Sequence, residues 1–113
     1  AGVLFTICQD GSDGYNQQRN LVFQAGTMAA YGLTKEEALQ AITLNAAKIL
    51  GIDSRTGSLE NGKDANLVIC NGDILDMKSS TVTHAFIQGR KISLESHHTT
   101  LWKRYDSKIN GKK

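Results

Sequence analysis

At 113 residues the chain is long enough for one ordinary domain or for one piece of a larger one. Thirteen Lys and Arg against eleven Asp and Glu leave a formal charge of +2, too mild to imply a nucleic-acid partner, and no basic face is interleaved with aromatics as a nucleic-acid groove requires. No apolar run approaches the roughly 20 residues of a membrane span, so no membrane partner is expected.

The two cysteines, Cys8 and Cys70, lie far apart without CxxC spacing, which excludes a zinc knuckle or a disulfide framework and suggests two reduced, buried thiols in a cytoplasmic protein. No charged segment followed by an apolar one marks a secretory leader. The start at Ala1 rather than Met implies a processed or cut chain. Proline is absent altogether.

In chain order, residues 3–8 (Val-Leu-Phe-Thr-Ile-Cys) are rich in β-formers and run into the turn cluster Gln9-Asp10-Gly11-Ser12-Asp13-Gly14. A continuously apolar strand of this kind suits a parallel sheet covered on both faces. From Arg19 to Tyr31, Leu21, Val22, Ala25, Met28 and Ala29 recur at helical spacing, with Gly32 as the stop. Thr34 followed by Glu37 is a capping box, and Leu39, Ile42, Ala46 and Ile49 form one apolar stripe that predicts a single helix to Gly51, with Leu39, Ile42 and Ile49 buried.

Beyond Gly51 the pattern changes from helical to β. Asp53 to Asp64 is polar and turn-rich, with Gly62 meeting a backbone need and Lys63 and Asp64 facing solvent. Leu67 to Cys70 reads as a buried strand, and Val82 to Gln88 with Lys91 to Leu94 as a hairpin around Gly89-Arg90. Residues 96–113 suggest a short helix around Leu101, Trp102 and Tyr105 with a fraying, basic end, read as a solvated tail rather than a binding patch.

Three stretches, GLTKEEALQAITLNAAKILGID, TGSLENGKDANLVICNGD and VTHAFIQGRKI, keep their order and spacing. Together they resemble the C-terminal part of the amidohydrolase superfamily, especially its imidazolonepropionase-like and dihydroorotase-like members. The resemblance spans about residues 1 to 95. It implies an α/β fold: the last strand and closing helices of a (β/α)8 barrel within 1–51, strands of a small β-sandwich within 52–95, and a closing helix and basic tail within 96–113. Such a piece is incomplete as a stand-alone fold. Its expected partner is the N-terminal remainder of the same protein, and its exposed strand edges invite self-association.

The resemblance further implies a metal-dependent hydrolase acting on C–N bonds of a small-molecule substrate, with a divalent ion, zinc, held by the intact protein and not by this piece. The family's HxH pair, bridging lysine and later metal histidines have no counterpart here. Asp10 falls where the family places the aspartate that ends its eighth strand, a metal ligand and proton shuttle. Gln9 stands where the family usually has Thr or Ser, and Asp13 is the competing carboxylate. Tyr15, Asn16 and Arg19 are candidates for the substrate mouth.

Read without the resemblance, the same aspartates and glycines simply make turns, and a calcium loop starting at Asp10 fails because its sixth position is Tyr15 and its twelfth Leu21. His84, His97 and His98 suit ordinary roles better than metal ligation. Thr43 and Asn45, polar residues within the helical pattern, are expected to bond backbone groups of a neighbouring segment or to face solvent. The rival function is a non-catalytic α+β binding or assembly module that keeps the amidohydrolase tail as scaffold.

Overall fold

The computed structural model describes residues 2–9 and 17–111. A 3-10 turn at Gln18–Asn20 leads into α1 (Leu21–Ala30), followed by α2 (Lys35–Ile42) and α3 (Leu44–Ile49). A long turn region then enters β1 (Leu67–Asn71), β2 (Thr81–Ile87) and β3 (Arg90–Lys91), and α4 (His97–Ile109) closes the described chain.

The helix ends follow local chemistry. At the start of α2 the Thr34 hydroxyl accepts from the Glu37 amide at 3.2 Å, and the Glu37 carboxylate accepts from the Thr34 amide at 2.8 Å. The Thr34 amide, then its hydroxyl, hold the Glu37 carboxyl below the usual range. Helix α1 stops with Leu33 N–H on Met28 O and Gly32 N–H on Ala29 O, and α3 stops with Ile52 N–H on Ala47 O and Gly51 N–H on Lys48 O. Both are the paired closing bonds of a Schellman motif.

The single helix expected from Lys35 to Gly51 is two. Thr43 departs from helical geometry at φ −128° and ψ −88°, while its hydroxyl bonds back to Leu39 O at 2.7 Å and its amide to Gln40 O at 3.1 Å. A hydroxyl that competes with the helical ladder bends or ends the helix. Thr43 therefore serves its own helix end and not an incoming segment, and Asn45 is half-buried. The break divides the apolar stripe: Leu39 and Ile42 pack partly against the core, whereas Ile49 is 50% exposed, contrary to the expected burial.

The strands form an antiparallel sheet in the order β1-β2-β3. Leu67 pairs with Phe86 and Asn71 with Thr81, with an irregularity between Ile69 and Cys70 that leaves Thr83 unmatched, its hydroxyl on Ile69 O at 3.1 Å. The hairpin turn sits one residue earlier than expected, at Gln88 (φ 51°) and Gly89 (φ 77°), with Ile87 opposite Arg90. Two consecutive positive φ values match the twist of the flanking strands. Asn66 Oδ1 accepts from Gln88 N–H at 3.0 Å and Ala65 O from Gly89 N–H at 3.0 Å, which fastens the turn to the segment entering β1.

Four further expectations are corrected. Residues 3–8 join no strand ladder among the described residues, because a strand exists only where a partner backbone lies alongside; Val3, Leu4 and Phe5 are exposed. Cys8 is exposed and Cys70 half-buried. The Lys63 side chain is not on the solvent face: its ammonium bonds Ser58 Oγ at 2.5 Å and Glu60 at 3.1 Å. Lys108 and Ile109, expected to fray, belong to α4.

The core is small. Ala25, Ala38 and Leu75 form its buried centre, with Ile7, Ala29, Leu33, Leu39, Ile42 and Ile74 packed partly against it. Neighbouring Val68 and Ile69 on β1 are 55% and 50% exposed, and since adjacent strand residues point to opposite faces, neither face of the sheet is covered there. The chain exposes 8955 Å², against roughly 6,100 Å² for a compact monomer of this mass. Its radius of gyration is 17.2 Å, against about 13 Å for a compact domain of similar length.

Candidate functional site

The described residues that flank segment 10–16 in the chain are Thr6 to Gln9 on one side and Gln17 to Gln24 on the other. Asp10, Asp13, Tyr15 and Asn16 lie outside the described residues. Arg19 is in the 3-10 turn before α1, exposed.

What holds Thr6 to Gln9 follows from the helix break. The last four carbonyls of a helix have no partner within it, and in α2 three of them are met from outside the ladder. Leu39 O receives the Thr43 hydroxyl, Gln40 O the Thr43 amide, and Ala41 O both the Thr6 hydroxyl at 2.7 Å and the Ile7 amide at 3.3 Å. Ile7 then packs against the Ala25–Ala38–Leu75 cluster, and the Gln24 amide on α1 donates to the side-chain oxygen of Gln9. The segment entering the loop is thus tied to two helices.

A second polar cluster, which sequence reasoning missed, lies where the β1–β2 connection crosses to the helices. Lys35, the first residue of α2, pairs with Asp73 at 2.6 Å. Asp73 also accepts from the Leu75 amide at 2.9 Å, and Asp76 accepts from the Lys78 amide at 3.0 Å and the Ser79 hydroxyl at 2.7 Å. Side chains closing onto an amide two residues ahead are the signal that NGDILDMKSS carried. The cluster lines a cleft of about 480 Å³ with Gly26 and Ala29, where a Cβ on Gly26 would overlap the Leu75 carbonyl. The cleft holds no nucleophile or base free of these structural bonds, so the cluster is a brace.

Its electrostatics make the brace sensitive to pH. Asp73 is held below the usual carboxylate range by its hydrogen bond from Lys35 and then by the Leu75 amide, and Asp76 by Ser79 and then by the Lys78 amide. Lys35 is raised by Asp73. Carboxyls depressed in the folded state stabilise above their unfolded pKa of about 3.9 and lose that contribution as pH falls through the folded values. Lys35 contributes below its ordinary value and loses the contribution as pH rises through its raised one. Amide exchange of Leu75 and Lys78 is therefore expected to accelerate below about pH 4 relative to the β-hairpin amides, and to stay level from pH 5 to 9.

Among the described residues the donor set does not fit a metal. Among the described residues no group of three or more His, Cys, Asp or Glu side chains is placed to hold an ion, whereas a hydrolytic metal site needs about three protein donors. Among the same residues no helix is long and apolar enough to cross a membrane.

The chain is similar to known proteins over part of their length. The imidazolonepropionase of Thermoplasma volcanium is 42% identical over 74 residues, which make up 65% of this chain and 18% of that protein. That of Picrophilus torridus is 39% identical over 95 residues, 76% of this chain and 23% of its own length. A solved amidohydrolase from Thermotoga maritima matches with a TM-score of 0.61 at 43% identity, over 66% of this chain and 19% of that one. The chain thus spans under a quarter of the length of these relatives. Residues 1–92 match the sequence model of the amidohydrolase family, and the chain belongs to that family.

Proposed function

We propose that the chain is the C-terminal part of a larger metal-dependent amidohydrolase that hydrolyses C–N bonds of an amide, cyclic amide or amidine-like substrate. The observation that carries the proposal is a family match over residues 1–92 in a chain that spans 18% and 23% of two relatives named imidazolonepropionase. That name favours a cyclic amide within the class. The uncovered sheet faces, the exposed Val3, Leu4 and Phe5, and the excess surface support it, since these are apolar areas that the rest of such a protein would bury.

In this reading residues 1–51 end a (β/α)8 barrel, residues 52–95 contribute sandwich strands, and residues 96–113 close the chain. Asp10 takes a proton from the attacking water as the water oxygen bonds to the substrate carbon, and returns it to the nitrogen as the C–N bond breaks. The carboxylate is regenerated; an amide gives a carboxylic acid and an amine, both on one molecule where the amide is cyclic, and an amidine-like bond gives an amide and an amine. A bound divalent ion, zinc in the proposal, supplies charge stabilisation to such a reaction; its donors, Asp10 apart, are assigned to the remainder of the protein. Tyr15, Asn16 and Arg19 are assigned to the substrate mouth. Separated from its N-terminal partner, the piece self-associates through the open edges of β1 and β3.

The test is hydrolysis by the full-length protein, with a cyclic and a linear amide offered and the appearance of carboxyl and amino groups followed together. Equimolar appearance, on one ring-opened product from the cyclic amide and on two products from the linear one, supports the proposal. Substrate recovered intact under zinc and manganese refutes it.

A further inference from the structure

Helix α4 stands outside the core, and it lies beyond residue 92, where the match to the amidohydrolase family ends. None of its residues is buried, and Trp102, Tyr105 and Ile109 expose 64%, 54% and 78% of their surface. Its start is fixed by local chemistry alone. The Ser96 hydroxyl accepts from the Thr99 amide at 3.2 Å, and the Thr99 hydroxyl accepts from the Ser96 amide at 3.1 Å.

At 3.6 residues per turn, Leu101, Tyr105, Ile109 and Trp102 fall within one arc of about 100°, with His98 the one polar residue among them. Arg104 and Lys108 border one edge of that arc, and the Lys108 ammonium stands 5.7 Å from the centre of the Tyr105 ring. Asp106, which accepts from the Asn110 amide at 2.8 Å, and Lys103, paired with Glu95, lie off the arc. Lys112 and Lys113 follow in the sequence and add to the positive charge. Packing this stripe on a second copy of itself would set Arg104 and Lys108 near like charges, which opposes association. A negatively charged apolar surface complements both features. Tryptophan and tyrosine favour the headgroup level of a bilayer, and basic side chains beside an apolar stripe are drawn to anionic headgroups.

We propose that α4 is a docking surface for an anionic lipid bilayer. The helix lies in the headgroup layer, with Leu101, Trp102, Tyr105 and Ile109 toward the acyl chains and Arg104 and Lys108 at the phosphates. Its 13 residues are too few to span a bilayer, so the contact is one-sided and reversible. The end of the chain expected to be a solvated tail is, in this reading, a surface with a partner.

The experiment is co-sedimentation of the full-length protein with vesicles of phosphatidylcholine alone and of phosphatidylcholine mixed with phosphatidylglycerol. Binding is expected to the mixed vesicles only, and to weaken as salt is raised. Arg104→Gln combined with Lys108→Gln should lower the partition coefficient on the order of 10-fold or more. Trp102→Ser combined with Ile109→Ser, which keeps the charges and removes apolar contact, should lower it by a similar factor. Gel filtration identical to wild type shows that a variant has kept its fold, and either pair decides alone if the other does not. No binding to the mixed vesicles overturns the proposal and assigns the stripe to the rest of the protein or to an acidic protein groove. Binding that the folded variants retain in full, or equal binding to the neutral vesicles, also overturns it.

Discussion

Asp10→Asn in the full-length protein is expected to lower kcat by about 10²- to 10⁴-fold, the range over which a positioned general base contributes. Asparagine keeps the shape of the side chain and its place after Gln9 but cannot accept the water proton at neutral pH. The loss should fall on kcat and kcat/KM together, as for an interaction made in the transition state, with the thermal midpoint close to wild type. Asp13, three residues on in the same turn cluster, provides the internal comparison. Full activity in Asp10→Asn beside an inactive Asp13→Asn would move the role to Asp13. Steady-state rates of the two variants separate these outcomes.

Leu75→Ala is expected to cost about 2–4 kcal/mol, the largest stability loss from a single truncation in the described chain. Leu75 is 8% exposed and is the one large side chain at the buried centre, where its partners are Ala25 and Ala38. Alanines cannot move inward to refill the space, so the cavity term adds to the lost transfer energy. The carbonyl of the same residue lies against Gly26 and its amide is held by Asp73, which fixes the backbone and prevents collapse of the loop. Urea unfolding followed by far-ultraviolet circular dichroism measures the change. A loss under about 0.5 kcal/mol would mean that the contact between helices and loop does not form the core.

Legibility in the sequence followed the range of the forces involved. The Thr34–Glu37 capping box, the glycine stops at Gly32 and Gly51 and the strand at Leu67 were readable because each depends on residues within one or two turns. The break at Thr43 was equally local but was masked by periodicity, which averages over the one hydroxyl that ends the ladder. Residues 3–8 have the composition of a strand, but composition cannot supply the partner backbone that makes one, and their bonds go to the end of a helix. The brace from Lys35 to Asp73 joins positions 38 apart in number, beyond any local pattern. The candidate site was legible only through family resemblance: one carboxylate and a turn cluster have no chemistry of their own without that context.

The central claim, that this chain is one part of a larger hydrolase, is tested most directly by purifying the 113-residue chain alone, measuring its bound zinc and manganese, and offering it the amide substrates turned over by the full-length protein. One proposed donor cannot fix a divalent ion, and the described residues offer no group of three or more that could. The account predicts substoichiometric metal and no turnover above buffer, with activity in the full-length protein under the same conditions. Stoichiometric metal with turnover by the chain alone would contradict it.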